Sequence, residues 1–161
     1  MTESVWRTQV TAPSVCGVVL LRSTGAALLQ LRDEMPGIQD PGVWVFPGGH
    51  IEPSETFEAG ARREFLEETC YNCSELHELV VYRAEQIGYP AGYQVAFFWS
   101  FFDERQMIRC CEGQELRFVA RAGVDGFSMP TYLLRVWDLA LEASGIALAS
   151  IDNKKVNGTT Q

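Results

Sequence analysis

The sequence predicts an α/β fold in which a mixed β-sheet carries helices on both faces. Three observations lead there: short β-leaning runs open the chain, a long helical run interrupts them, and a second helical run follows the remaining strands. At 161 residues, the length fits a single domain spanning 1–161, which hides roughly two thirds of the surface its unfolded chain exposes. A core of that size needs no metal or disulfide staple.

Val15 to Arg22 and Ala26 to Arg32 read as strands separated by a Ser23-Thr24-Gly25 turn. Asp33 to Gly42 is polar, with two Pro-Gly pairs, and forms a surface loop able to reach over a ligand. Val43 to Phe46 is a third strand, stopped by Pro47-Gly48-Gly49. From Glu55 to Thr69 the pattern turns helical, with Ser54 expected as cap and Glu55 placing negative charge near the amino end. Glu78 to Ile87 forms another strand, Gly88 to Gly92 a turn, and Tyr93 to Phe102 the most aromatic strand. Glu115 to Ala120 is a short strand, and Pro130 to Ala143 a helix with Leu133, Val136, Trp137 and Ala140 at helical spacing. The tail from Asp152 is polar and expected to fray.

Composition removes several classes of function. Thirteen Lys and Arg against 21 Asp and Glu give a net charge of −8, which offers no broad basic surface for duplex nucleic acid. The longest apolar run, Val95 to Trp99, falls far short of the ~20 residues a membrane span needs, and no secretory signal opens the sequence. An odd set of five cysteines, Cys16, Cys70, Cys73, Cys110 and Cys111, favours free thiols and a cytoplasmic location over a disulfide scaffold. Their spacing matches no strong zinc pattern. Only Lys154 and Lys155 are lysines, so the basic chemistry of the body belongs to arginine, whose fork suits phosphate.

Chemistry concentrates in Gly48 to Glu68. Around a helix Glu64, Glu67 and Glu68 fall within an arc of roughly 100°. Leu66, Ala59 and Cys70 lie opposite and are expected to face the sheet. Gly60, one turn before Glu64, is expected to leave a notch for metal and phosphate, and Gly48 and Gly49 to bring backbone close to a ligand. Crowded carboxylates without histidines point to Mg2+, or Mn2+, rather than zinc. A small polyanionic partner becomes accessible to an acidic protein once such cations lie between them. Arg32, closing the second strand, is a candidate phosphate clamp. Tyr89, Tyr93 and Trp99 are candidate stacking surfaces for a base.

Gly49, Glu55 and the run Arg63-Glu64-Phe65-Leu66-Glu67-Glu68-Thr69-Cys70-Tyr71 resemble the Nudix box of hydrolases acting on nucleoside diphosphates linked to another group. Cys70 stands where the family carries the glycine that ends the helix, and Ser54 where many members carry another glycine. The resemblance implies an α/β/α sandwich and an Mg2+-dependent pyrophosphohydrolase acting on a nucleoside triphosphate or other nucleoside diphosphate derivative. It implies that Glu64, Glu67 and Glu68 hold the cations, that Arg63 orients them and that Glu55 supports Arg63. Glu112 resembles the distal glutamate that some members bring to the metals, with Glu115 as runner-up; the general base stays open between Glu68 and Glu112. The intact Arg63-Glu64 pair disfavours glycosyl transfer, and Phe127 to Pro130 lacks the asparagine with which some members read an oxidised guanine. A nucleotide-sugar diphosphatase, a non-hydrolytic nucleotide-binding regulator and an RNA-decapping enzyme are the alternatives. A homodimer is left open.

Overall fold

The computed structural model describes residues 5–146, so the polar tail lies outside the described residues. Seven strands, β1 (Ser14–Leu21), β2 (Ala27–Leu31), β3 (Trp44–Val45), β4 (Gly48–Ile51), β5 (His77–Arg83), β6 (Gln94–Phe101) and β7 (Glu115–Val119), form one mixed sheet. Helices α1 (Phe57–Thr69) and α2 (Thr131–Ser144) cover its two faces, giving the expected α/β/α sandwich. Among the described residues no helix is long and apolar enough to cross a membrane.

β1 organises the sheet. Along its whole length it runs parallel to β6, from Ser14 opposite Gln94 to Leu21 opposite Phe101. On its other edge it changes partner: Ser14 to Gly17 pair with β4, whereas Leu21 pairs with Ala27 of β2. Gly48 sits at this fork because a side chain there would drive its Cβ to 2.0 Å from the Cys16 carbonyl oxygen. Alternation along β1 then sorts its side chains by face. Val19 and Leu21 join the core beneath α2, while Cys16, Val18 and Leu20 join the core beneath α1.

α2 presents Leu133, Val136, Trp137, Ala140 and Leu141 to the sheet, all buried. The Trp137 indole N–H donates to the Gly25 carbonyl at 3.1 Å, tying this helix to the β1–β2 turn. α1 uses Phe57, Ala61 and Phe65, one turn apart along a single stripe. Leu66 lies on the opposite side of α1 and is 44% exposed, and Ala59 and Cys70 are exposed with it, contrary to the expected orientation. The two phenylalanines bury more apolar surface than Leu66 offers, so they set the rotation of the helix.

Other boundaries differ locally. Thr56, not Ser54, caps α1: its hydroxyl accepts the Ala59 N–H at 3.1 Å. The Pro47-Gly48-Gly49 break is short, because β4 starts at Gly48 and is held by β1. The strand expected through Ile87 ends at Arg83, and Ala84–Ile87 tightens into a 3-10 turn closed by left-handed Gly88.

Candidate active site

The rotation of α1 that buries Phe57 and Phe65 also carries Glu64 and Glu68 inward. Glu68 is 6% exposed, and its Oε2 accepts the Gly48 N–H at 2.8 Å, across the fork between β1 and β4. Burial is the main force on this carboxyl, and the negative charges of Glu112 and Glu64 add to it, raising its pKa to about 8; the Gly48 amide and Arg32 pull the other way. Gly49 is required beside it, since a Cβ there would lie 2.3 Å from Glu64 Oε2. Gly60 plays a different part from the one expected. A Cβ at Gly60 would meet Ile51 at 2.9 Å, so the missing side chain admits Ile51 and leaves no notch for ligand.

Arg63 is the hub of the acidic face. Its Nε and Nη2 donate to the two Glu55 oxygens at 2.9 and 2.7 Å, and Nη2 also reaches the His50 carbonyl at 3.0 Å. Nη1 donates to Glu64 at 2.9 Å and to Glu67 at 3.2 Å. A planar fork satisfied on every side is held in one orientation. The hydrogen bond from Arg63 keeps Glu55 below the usual carboxylate range, and the same bond drives the Arg63 pKa further up.

Glu112 reaches the cleft from the segment before β7. Gln30, buried in β2, donates its Nε2 to the Glu112 carbonyl at 3.0 Å, and the Gln114 N–H donates to the Leu31 carbonyl at 2.9 Å. Glu115 instead pairs with Arg117 two residues along β7 and does not line the cleft. Glu64, Glu67, Glu68, Glu112, Gly48, Gly49 and Arg32 all border one cleft of about 460 Å³. Arg32 Nε is buried there without a hydrogen-bond partner.

Away from the acids the cleft becomes apolar, lined by Val45, Phe46, Phe97, Tyr132 and Leu133. The polar loop after β2 does reach it. Tyr89 donates its hydroxyl to Asp40, and Tyr93 to Gln39 at 3.2 Å, which places both loop residues on the cleft wall. Burial, and then the bond to Asp40, push the Tyr89 hydroxyl up to about 12, so it stays a donor. Of the expected stacking residues only Tyr93 borders the cleft, since Trp99 stacks on His77 at 4.4 Å and packs in the core. Asp40 falls in the Asp33–Gly42 loop expected to reach over a ligand. Gln30 and Tyr132 were not singled out in the sequence: each arrives from a distant element with no local motif, and Tyr132 reads there as one more residue of an amphipathic helix.

Among the described residues no group of three or more His, Cys, Asp or Glu side chains stands close enough to hold a metal ion. Arg63 occupies Glu64 and Glu67, while Glu68 turns to Gly48. The donor set nonetheless fits a hard divalent cation, being made of carboxylate oxygens whose mutual repulsion such a charge would relieve.

A mixed sheet between two helices, with an acidic helix face closing one end of a cleft, defines a Nudix-type sandwich. The NUDIX domain model matches residues 11–126, and the chain belongs to that family. A Bacillus subtilis (strain 168) protein named "Putative 8-oxo-dGTP diphosphatase" is 27% identical over 136 residues, 84% of this chain and 85% of that protein. "m7GpppN-mRNA hydrolase NUDT17" of Danio rerio is 45% identical over only 56 residues, 35% of this chain and 19% of that protein. Among solved structures, the NUDIX domain of Shewanella oneidensis NrtR complexed with ADP ribose superposes with a TM-score of 0.69 at 16% identity, covering 89% of this chain and 94% of that one.

Proposed function

We propose that the chain, as one Nudix domain over 1–161, is an Mg2+-dependent pyrophosphohydrolase that cleaves the diphosphate linkage of a nucleoside triphosphate or another nucleoside diphosphate derivative. The observation that carries the reading is buried Glu68, held by the Gly48 amide in a cleft that Glu64, Glu67 and Glu112 also border. The name of the Bacillus subtilis relative supports a nucleoside triphosphate. The ADP ribose in the Shewanella oneidensis structure favours a second reading within the same chemistry, a nucleotide-sugar diphosphatase. A cytoplasmic location belongs to the same proposal.

Glu64, Glu67 and Glu68 hold the cation in this reading, and Glu112 reaches in from the rim. When bound, Mg2+ (or Mn2+) polarises the phosphoryl oxygens and screens the acidic wall from the substrate's charge. Arg63, itself held by Glu55, fixes the orientations of Glu64 and Glu67. Arg32, which lines the cleft, offers its guanidinium fork to a phosphate oxygen. Glu112, which borders the cleft and is more exposed than Glu68, takes the proton of the attacking water. The apolar half of the cleft takes the nucleoside or the group attached to the diphosphate.

The test is a parallel screen of nucleoside triphosphates, dinucleotides, nucleotide sugars and capped RNA, with Mg2+ and with chelator. Metal-dependent release of phosphate or pyrophosphate, or of two monophosphates, from a soluble nucleotide supports the reading. Nucleotide binding without turnover on any substrate would replace it with the regulator.

A further inference from the structure

Helix α1 ends at Cys70, which sits in the left-handed region with φ 58°. Glycine is the residue that occupies such a position without steric penalty, so a side chain here needs a reason. A neighbouring segment of the same chain supplies one. Residues 109–114 run past the end of α1, docked by Arg109 N–H to the Thr69 carbonyl and Cys111 N–H to the Glu68 carbonyl, both at 2.9 Å. This docking brings Cys111 Sγ to 2.6 Å from Cys70 Sγ, with both residues exposed. A disulfide has an S–S distance of about 2.05 Å, so a small closure of two surface side chains completes the bond. Cys110 turns elsewhere, its Sγ facing the Glu112 and Gly113 carbonyls at 3.3 and 3.7 Å, and Cys16 and Cys73 are buried.

We propose that Cys70 and Cys111 form a reversible disulfide that fastens the loop carrying Glu112 to the end of α1, making the pair an oxidative modification site beside the cleft. Glu112 follows Cys111 directly, and Gln30 and Leu31 of β2 already hold the far side of the same loop. With the bond formed, the loop is anchored to α1 by sulfur and to β2 by hydrogen bonds. A small-molecule disulfide such as glutathione disulfide is the oxidant. One cysteine attacks a sulfur of the oxidant, breaking its S–S bond and releasing one thiol; the second cysteine then displaces the other. The two cysteine protons end on the two released thiols, the oxidant accepts two electrons, and the protein gains one S–S bond. The bond stands apart from the pyrophosphohydrolase reading, while any effect on turnover rests on it.

The experiment treats the full chain with glutathione disulfide, digests it with trypsin without reductant, and maps the products by mass spectrometry. The expected product joins residues 64–83 to 110–117, with fragment ions placing the link at Cys70 and Cys111 and not at Cys73 or Cys110. Hydrogen exchange of the amides in 109–114 should slow at least about tenfold on oxidation and recover with dithiothreitol. C110S should keep both results, whereas C70S and C111S should lose both. A Cys110–Cys111 bond, glutathione left on separate thiols, or unchanged exchange with the link mapped would each overturn the proposal. Turnover is measured on the same samples. Its absence in every redox state, with the link mapped and exchange slowed, counts against the pyrophosphohydrolase reading and leaves the disulfide standing.

Discussion

Helix α2 turns Leu133, Val136, Trp137, Ala140 and Leu141 to one face of the sheet, all of them apolar. Helix α1 turns Phe57, Ala61 and Phe65 to the other face but buries Gly60, Glu68 and Thr69 in the same surface. The first arrangement gains stability from every buried contact. The second gives up part of that gain, because burying the Glu68 carboxyl costs free energy that the Gly48 amide and Arg32 offset only in part, as its raised pKa shows. The contrast sets a helix face that is wholly apolar against one that also carries the acids of the proposed chemistry.

The strongest way to sharpen this contrast is to damage the α2 side alone. Trp137→Ala should cost about 3–5 kcal/mol in urea unfolding while leaving turnover of the folded fraction near that of the parent. An equal loss of kcat in fully folded protein would erase the distinction between the two faces. On the α1 side, Glu68→Gln and Glu67→Gln should each lower kcat at least about 100-fold at saturating Mg2+ without lowering the melting temperature. Near-normal kcat in both variants would sink the ligand assignment.

Glu112→Gln should lower kcat about tenfold or more with KM within about twofold, and its pH–rate profile should lose the acidic limb. Glu115→Gln should stay close to the parent, consistent with its pairing to Arg117. The reverse ranking would show that the wrong acid of this segment had been chosen.

Acidity tests the burial cost directly. Because the pKa of Glu68 rises from 4.5 to about 8 on folding, the folded state binds its proton more tightly than the unfolded state does. The stability this contributes is complete below about 4.5 and disappears as pH climbs through about 8. Metal-free protein should therefore lose melting temperature between pH 5 and pH 8.5, by several degrees relative to Glu68→Gln. Parallel curves for the two proteins would mean that Glu68 does not carry the cost of the acidic face.

The smallest effect is expected at the end of α1. Cys70→Gly in reducing buffer should keep activity within about threefold and raise stability by up to about 1 kcal/mol, since glycine relieves the left-handed conformation. A clear destabilisation would show that the thiol makes a packing contribution larger than that strain.

Legibility followed the reach of the interactions. Arg63, Glu64, Glu67 and Glu68 lie within two turns of one helix, so helical spacing and the resemblance located them together. The rotation of that helix was misread because spacing alone ranks Leu66 with the apolar side, whereas the partners of Phe57 and Phe65 lie on strands far away in sequence. Glu112 emerged only through the resemblance. What holds it, Gln30, sits 82 residues away, and no local pattern encodes such a contact. The cap error has a similar origin: Ser54 and Thr56 are chemically equivalent as caps, and the pairing of β4 with β1 decides where the helix begins. Alternation and turn chemistry sufficed for β1, β2 and β6, whose ends match the expected runs closely.

The division of β1 between two faces bears on how its coding sequence can vary. Deleting or inserting one residue between Ser14 and Leu21 would exchange the inward and outward sets, sending Val18 and Leu20 to the α2 side and Val19 and Leu21 to the α1 side. The same slip would shift the Cys16–Gly17 backbone that positions Gly48, whose amide meets Glu68. A length change here thus removes both cores and the acid's anchor in a single event, whereas the loop from Asp33 to Gly42 can lengthen at little thermodynamic cost. Natural variation in chain length should accumulate in that loop, where it reshapes the polar wall that Gln39 and Asp40 give the cleft, and be purged from β1.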